Sequence, residues 1–157
     1  MDPFEIKPAS WRDIGEFYRL ERLCFEQDAW PLLDVIAVLV LPNVVRLKAM
    51  AGAQVAGFVI GDRRPRQTMA WIASIAVHPD QRGRGIGTAL LRACEAQLKV
   101  PTLRLSVRTS NSTAIRLYKQ LGFQATGTWS GYYKGGEDAL VMEKSTGVLS
   151  TSVEGAA

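Results

Sequence analysis

The stretch of this sequence best suited to chemistry is a basic, glycine-rich turn at residues 81–87, Gln-Arg-Gly-Arg-Gly-Ile-Gly. Glycines at every second position let the backbone approach a ligand closely and point several N–H groups at one place. Arg82 and Arg84 add positive charge, and the amphipathic segment that follows would begin a helix with its positive end at the same point. The sequence therefore predicts a seat for a pyrophosphate.

Two common phosphate-binding loops do not fit this turn. A Walker loop ends in Gly-Lys-Ser/Thr, whereas Thr88 follows Gly87 directly. A dinucleotide-binding loop has the spacing Gly-x-Gly-x-x-Gly, whereas these glycines stand at 83, 85 and 87. The remaining pattern, Gln/Arg-x-x-Gly-x-Gly, lies between Ile75-Ala-Val-His-Pro79 and Thr88-Ala-Leu-Leu91. Together these segments resemble the acetyl-CoA signature of the GNAT superfamily of N-acetyltransferases.

This resemblance implies that acetyl-CoA is the cofactor and that a strand, the glycine turn and the start of a helix bind it. The implied cofactor-binding residues of this region are Ile75, Ala76, Val77, Gln81, Arg82, Gly83, Arg84, Gly85, Ile86, Gly87 and Thr88.

A second informative stretch follows a predicted strand at residues 102–108. Asn111 is placed to cap a helix, and Tyr118 lies two turns further along roughly the same face. The segment resembles the Asn-x-x-Ala-x-x-Leu-Tyr motif of the same superfamily, here Asn111, Ala114, Leu117 and Tyr118. The resemblance implies that Asn111, Ala114 and Tyr118 contact the cofactor and that Tyr118 protonates the leaving thiolate. A core tyrosine without a chemical role is the alternative.

A third stretch, Gly131-Tyr-Tyr-Lys-Gly-Gly-Glu-Asp-Ala-Leu-Val-Met142, resembles acetyltransferases that modify protein N-termini, including the ribosomal-protein alanine N-acetyltransferases. The resemblance implies that the tyrosine pair lines a peptide groove together with the loop around Trp30. An ordinary hairpin with tyrosines packed at its mouth is the alternative. The predicted substrate-binding residues are Glu26, Trp30, Ser106, Tyr132, Tyr133 and Glu137.

Ser106 is a departure from that subgroup, in which the corresponding residue is a glutamate that acts as general base. The candidates left for a base are Glu26, Asp28, Glu137 or a water held by backbone carbonyls, and His78 in the turn beside the phosphate loop is a weaker one. The missing base favours an α-amine acceptor. Lysine has a pKa of about 10.4 against about 7.7–8.0 for an α-amine, so its deprotonation costs about 3.5 kcal/mol more.

These residues predict direct attack of a neutral primary amine on a thioester carbonyl, with a backbone N–H between Ser74 and Val77 stabilising the oxyanion. The expected partners are acetyl-CoA and an amine acceptor, most simply a peptide or protein N-terminus. A small-molecule amine such as a polyamine or amino sugar, and a non-catalytic acyl-CoA-binding module, stay open as alternatives.

Hydrophobic periodicity predicts the elements that position these residues. Their order, β-α-α-β-β-β-α-β-α-β-β, favours an α/β fold with a mixed sheet of about seven strands flanked by four helices, which is also the order of the GNAT fold. We expect one domain over residues 1–144 and a disordered tail over residues 145–157, which are small, polar and aperiodic. The basic turn at residues 62–66 is predicted to be a solvated loop tip.

Composition narrows the class of protein. With 157 residues, 47% of them hydrophobic and 22% charged, the chain suits a single globular domain. It has no apolar run of about 18 residues and no apolar leader, which predicts a cytoplasmic protein that does not act on membranes. The basic residues behind the net charge of +4 are scattered, so we expect no direct nucleic-acid partner. Cys24 and Cys94 lack metal-ligand spacing, so we expect no metal.

Overall fold

One mixed sheet organises the fold, with strand order β1-β2-β3-β4-β5-β7-β6. The computed structural model describes residues 3–64 and 68–149. The strands are β1 (Phe4–Pro8), β2 (Val44–Ala51), β3 (Gln54–Arg63), β4 (Met69–Val77), β5 (Thr102–Arg108), β6 (Gln124–Trp129) and β7 (Ala139–Ser145). The α-helices of the described residues are α1 (Ile14–Phe25), α2 (Leu32–Val40), α3 (Ile86–Leu98) and α4 (Ser112–Gln120). The predicted seven-stranded mixed sheet with four helices is confirmed.

Helices cover both faces of this sheet. On one face, Phe17 and Leu20 of α1 and Leu39 of α2 pack against Phe58 of β3 and Ala76 of β4. The opposite face carries a second buried cluster, to which α3, α4, β4 and β5 contribute Leu90, Tyr118, Ile72, Leu105 and Val107. Because successive strand residues point to opposite faces, this pattern places Ser106 and Arg108 on the α1/α2 face.

The pairing of β4 with β5 is short, and it is the only parallel pairing among the described strands. The ladder joins Met69–Trp71 to Thr102–Arg104 and stops there. On its other edge β4 contains a bulge: Ile72 pairs with Gly61 and Ser74 pairs with Ile60, so Ala73 is an extra residue. A bulge bends its strand and increases the local twist. Beyond Trp71 the two strands therefore diverge and leave an opening between them.

The strand predicted at residues 102–108 is β5, and the helix predicted to follow the Asn111 cap is α4. At the start of α1, Ser10 and Asp13 form a capping box that begins a 3-10 helix at Trp11–Asp13, which continues into α1. The predicted loop tip at 62–66 lies partly outside the described residues. The domain boundary at 144 stays a prediction: β7 ends at Ser145, the Thr146 hydroxyl donates to the Val100 carbonyl at 2.5 Å, and residues 150–157 of the predicted tail lie outside the described residues.

None of the helices within residues 3–64 and 68–149 has the length and apolar character needed to span a membrane. The same residues contain no group of three or more His, Cys, Asp or Glu side chains that could hold a metal ion.

At Gly57 the elements β3, β4 and α3 approach closely, and a methyl group there should destabilise the fold. A Cβ at Gly57 would lie 2.7 Å from the Ala76 carbonyl oxygen and 3.3 Å from Leu90 Cδ1. Gly57→Ala should therefore cost about 1–3 kcal/mol of unfolding free energy, typical of overpacking. In a domain of this size the melting temperature should fall by several degrees in thermal denaturation.

Gly15→Ala is the matched control, because a Cβ on this α1 residue would meet nothing within 4 Å. The same glycine-to-alanine change should there stabilise the protein by about 0.5–1 kcal/mol. Equal shifts in the two variants would show that close packing at Gly57 does not limit stability.

Candidate active site

The glycine turn between β4 and α3 presents unpaired backbone donors. Gly83 and Gly85 have φ values of +77° and +81°, a left-handed conformation that favours glycine, and Gly85 is the N-cap of α3. In the part of the chain that the structure describes, the amides of Gly83, Gly85, Ile86 and Gly87 donate to no other residue. Side chains added at Gly83 or Gly85 would meet nothing within 4 Å. The turn therefore offers room, amide donors and a helix N-terminus to an anion.

Polar side chains hold this turn in shape. His78 Nδ1 accepts a hydrogen bond from the Asp80 amide at 3.1 Å and caps the 3-10 helix Pro79–Gln81. Arg82 Nε donates to the Val77 carbonyl at 3.1 Å, and the Arg84 guanidinium donates to the Gln81 side chain. Because the Nδ1 lone pair of His78 is already used as a cap, the imidazole is poorly placed to accept a proton from a substrate.

The edge of β4 that faces the opening carries further donors. The His78 amide donates to Ala56 of the β3 side at 2.8 Å. Since N–H groups alternate between the two edges of a strand, the amides of Ile75 and Val77 point to the opposite edge, toward β5. The amide of Ala76 points toward β3, and its side chain is buried in the α1/α2 core. Three residues of β4 are predicted to bind the cofactor. Ile75 and Val77 present their amides to the opening, whereas Ala76 does not.

The start of α4 lies at the same opening because it follows β5. Asn111 Oδ1 accepts from the Ala114 amide at 3.1 Å, which is the predicted N-cap. Tyr118 lies further along this helix, 8% exposed and with its ring edge-on to Phe123 at 6.0 Å. Its hydroxyl has no hydrogen-bond partner among the described residues. Burial first, and the neighbouring Tyr133 second, raise the pKa of Tyr118 to about 12, so the phenol stays protonated at neutral pH.

Arg108, at the end of β5, joins the two loops that border the opening on the α1/α2 face. Its Nε donates to Asp28 Oδ2 at 2.5 Å, in the 3-10 helix Glu26–Asp28 that follows α1. Its Nη1 donates to Glu137 Oε2 at 3.1 Å, and its Nη2 donates to the Lys134 carbonyl at 3.0 Å. The guanidinium also lies 4.8 Å from the ring centroid of Tyr133. We call Asp28, Arg108 and Glu137 the arginine clamp.

The arginine clamp contains two of the carboxylates that the sequence offers as candidate bases, Asp28 and Glu137. Hydrogen bonds from Ser110 and Arg108 lower the pKa of Glu137, which makes this carboxylate a weak proton acceptor. Carboxylate oxygens of Asp28 and of Glu137 are both engaged by the same guanidinium. Glu26 is exposed, and its φ of +46° is strained for a residue other than glycine. Ser106 Oγ accepts from the Tyr133 hydroxyl at 3.4 Å. The position that carries a glutamate base in the resembling subgroup therefore holds only a hydroxyl pair.

A buried carboxylate that the sequence analysis did not place in the site lies beside it. Glu21 of α1 is 1% exposed; Oε1 accepts from the Ser74 hydroxyl at 2.6 Å and Oε2 accepts from the Trp30 amide at 3.3 Å. Burial raises the pKa of Glu21, and the two hydrogen bonds oppose that effect. Its signal in the sequence was a glutamate on the apolar face of a helix, which needs a partner when it is buried.

An aromatic ladder, which we define as Trp71, Trp129, Tyr132 and Tyr133, extends from the arginine clamp. Tyr133 contacts Tyr132 with ring centroids 5.0 Å apart, Tyr132 contacts Trp129 at 5.1 Å, and Trp129 contacts Trp71 at 5.5 Å. The last contact joins β4 to β6 across the two intervening strands. Tyr132 is 56% exposed and Trp129 is 40% exposed, so the ladder presents ring surface to solvent.

Comparison with known proteins assigns this chain to a family. The sequence profile of the acetyltransferase (GNAT) family matches residues 11–123. The N-alpha-acetyltransferase RimI of Mycobacterium tuberculosis is 33% identical over 151 residues, which are 93% of this chain and 95% of that protein. An N-alpha-acetyltransferase of Sulfurisphaera tokodaii is 30% identical over 153 residues, 88% of this chain and 91% of that protein.

A solved structure agrees with these relatives. The ribosomal-protein-S18-alanine N-acetyltransferase from Escherichia coli superimposes with a TM-score of 0.85 at 27% identity, over 96% of this chain and 99% of that one. The seven-stranded mixed sheet and the donor-rich turn after β4 thus agree with the family profile and with relatives that match over most of their length. The chain belongs to the GNAT family of acetyl-CoA-dependent N-acetyltransferases.

Proposed function

We propose that this N-acetyltransferase acetylates the α-amine of a peptide or protein N-terminus. The observation that carries the proposal is the aromatic ladder, which begins at the arginine clamp and continues across the sheet. Consecutive rings give an extended acceptor more surface than a small amine can cover. The names of the relatives, N-alpha-acetyltransferase in two cases, support the same acceptor class. A cytoplasmic location stays a prediction from the sequence.

The residues around the glycine turn fit acetyl-CoA, which supplies the acetyl group as an activated thioester. Unpaired amides at the left-handed glycines and at the start of α3 suit a pyrophosphate. Arg82 and Arg84 lie in the same turn and add charge of the required sign. We therefore propose that residues 81–88 hold the pyrophosphate, that Ile75 and Val77 present backbone donors to the acyl end, and that Asn111 and Ala114 border the cofactor from α4.

Backbone amides, Tyr118 and the residues at the opening have separate roles in the proposed transfer. The amides of Ile75 and Val77 are aimed into the opening, where negative charge would develop on the acyl oxygen. The Tyr118 ring is largely buried, while its protonated hydroxyl is not fully enclosed and bonds to none of the described residues, so it is available to donate to the leaving sulfur. The arginine clamp and the Ser106–Tyr133 pair border the path by which the acceptor would enter.

Gly85 tests the pyrophosphate seat. Acetyl-CoA at about 100 times its dissociation constant should stabilise the wild-type protein by about 2.7 kcal/mol, measured as a rise in melting temperature. Gly85→Asp should abolish that rise because it places a carboxylate against the phosphates. Gly85→Asn is the matched control: it has the same size and also adopts a positive φ, but it carries no charge, so it should keep most of the shift. Equal shifts in the Asp variant and the wild type would remove the seat from this turn.

Tyr118 tests the acid. Tyr118→Phe removes only the hydroxyl, so the thermal shift with acetyl-CoA should stay near the wild-type value. Turnover, followed as release of the CoA thiol, should fall by about 10²–10⁴-fold, as expected for a positioned acid. Tyr18→Phe, which changes a tyrosine of α1 whose hydroxyl accepts from Arg22, is the control and should keep its rate. A Tyr118→Phe enzyme with wild-type turnover when chemistry limits the rate would mean that the ring only packs.

The acceptor class is tested with peptides. Short peptides with a small first residue and a free α-amine should be acetylated there. N-terminally blocked peptides with an internal lysine should react at least about a hundredfold more slowly, in line with their smaller neutral fraction. Rates should rise between about pH 7 and 8.5 as the α-amine loses its proton. Mass spectrometry that locates the acetyl group on lysine side chains, or only on polyamines or amino sugars, would replace this acceptor with a different one.

A further inference from the structure

Ser74 and Ser106 border the opening between β4 and β5 from its two sides, on the same face of the sheet. The last paired residues of the two strands are Trp71 and Arg104. Because Ala73 is the extra residue of the bulge, Ser74 stands two ladder positions beyond Trp71, as Ser106 stands two beyond Arg104. Ser74 shares a face with Ala76, which packs against α1 and α2. Both hydroxyls therefore lie on the face from which an acceptor amine would approach.

Only the Ser74 side of the opening is connected to a carboxylate that can gain a proton readily. Ser74 donates to Glu21 at 2.6 Å, which leaves the lone pairs of the Ser74 oxygen available to accept. On the Ser106 side, the neighbouring carboxylates Asp28 and Glu137 both pair with the Arg108 guanidinium. A carboxylate buried without a cation favours its protonated form, whereas one paired with a guanidinium favours its ionised form.

We propose that Ser74 and Glu21 form the proton-accepting pair of the acetyl transfer, with Ser74 in contact with the acceptor nitrogen and Glu21 acting through Ser74. As the new nitrogen–carbon bond forms, a nitrogen-bound proton passes to Ser74 Oγ and the Ser74 hydroxyl proton passes to Glu21. The carbon–sulfur bond breaks with its electron pair on sulfur, which takes a proton from Tyr118. The cycle closes when Glu21 gives up its proton and Tyr118 regains one through solvent.

Among the described residues no charged side chain forms an ion pair with Glu21, and β4, which carries its partner Ser74, has no titratable residue. The Glu21 charge contributes to the raised pKa of the Cys24 thiol, one turn along α1, and burial is the larger cause of that shift. On the neighbouring elements Asp13 pairs with Lys48, Asp28 pairs with Arg108, Asp34 is exposed and Arg82 lies beside Cys24. Among the residues that the structure describes, the hydrogen bonds from Ser74 and from the Trp30 amide oppose the effect of burial on the Glu21 pKa.

Trp30 helps to hold the carboxylate of Glu21 in place. Its backbone amide donates to the second oxygen of Glu21, so the loop between α1 and α2 and the bulged part of β4 hold one carboxylate between them. A glutamine at position 21 can keep both contacts, because its carbonyl oxygen accepts from the Trp30 amide and its NH2 donates to Ser74 Oγ. Glu21→Gln thus removes the proton acceptor while preserving the geometry.

The pH dependence of kcat/KM tests this inference, which rests on the proposed acetyl transfer to a primary amine. In the wild type both the acceptor amine and Glu21 must be deprotonated, so the acid limb of log(kcat/KM) should steepen to a slope of about two. In Glu21→Gln and in Ser74→Ala the slope should stay at about one, set by the amine alone. Each variant should lose about 10²–10⁴-fold in kcat, with little change in KM for acetyl-CoA.

The double variant and two controls separate proton transfer from structural support. Glu21→Gln combined with Ser74→Ala should be no slower than either single variant, because groups that act as a unit are not additive. Ser74→Thr keeps a hydroxyl and should restore most of the rate. Glu16→Gln changes an exposed glutamate of the same helix and should leave the profile unchanged. Melting curves with acetyl-CoA establish that each variant is folded and binds the cofactor.

Losses that multiply in the double variant, or a slope of about two retained in Ser74→Ala, would overturn the inference. If Glu21→Gln does not fold, Ser74→Ala alone decides, since it changes a small side chain without touching α1. The outcome is independent of the acceptor class. If the substrate experiments identify a polyamine in place of a peptide, the pH dependence of kcat/KM is measured on that amine. Failure of the proposed function and failure of the proton path therefore give different results.

Discussion

The separation of β4 from β5 is the constraint on which the site depends. Two parallel strands that shared a full ladder would satisfy each other's amides and leave no donors for a ligand. Here the ladder ends after Trp71 and Arg104, and the bulge at Ala73 turns β4 away from its neighbour. The amides of Ile75 and Val77 are freed by this divergence. The helices that follow the two strands, α3 and α4, consequently begin on either side of the same opening.

The opening has a different character on each face of the sheet. Toward α3 and α4 it is apolar and tightly packed, and Tyr118 is the polar group that reaches it from that core. Toward α1 and α2 the opening is bordered by hydroxyls and carboxylates, and the carboxylates have two kinds of partner. Asp28 and Glu137 are compensated by Arg108, whereas Glu21 is compensated by hydrogen bonds alone. The pKa of Glu137 is therefore lowered and that of Glu21 is raised, although both side chains are glutamates.

Most of the fold could be predicted because the relevant signals are local. Strand alternation and the Asn111 cap each depend on residues only a few positions apart, and both are present in the structure. The glycine turn was predicted for the same reason. The short β4–β5 ladder and the bulge at Ala73 were not predicted, because they depend on how neighbouring strands twist and not on the composition of either strand.

The ion pairs and hydrogen bonds between side chains of the site could not be read from the sequence, since they join distant segments. Arg108 and Asp28 are 80 residues apart, and Ser74 and Glu21 are 53 apart. Asp28 and Glu137 are candidate bases by their place in the sequence, but the guanidinium that they share becomes visible only in the fold. Glu21 was not among the candidates, because its burial is visible only in three dimensions.

The arginine clamp also has an entropic consequence. Surface loops that order only when a ligand arrives reduce its affinity by the conformational freedom they lose. In this protein one guanidinium already joins the α1–α2 loop to the β6–β7 turn through three hydrogen bonds, before any acceptor is present. The two loops that border the opening are thus already ordered. The conformational entropy lost when an acceptor binds there would be chiefly that of the acceptor itself. Selectivity then favours acceptors that are already stiff or that need to immobilise only a few residues at their end.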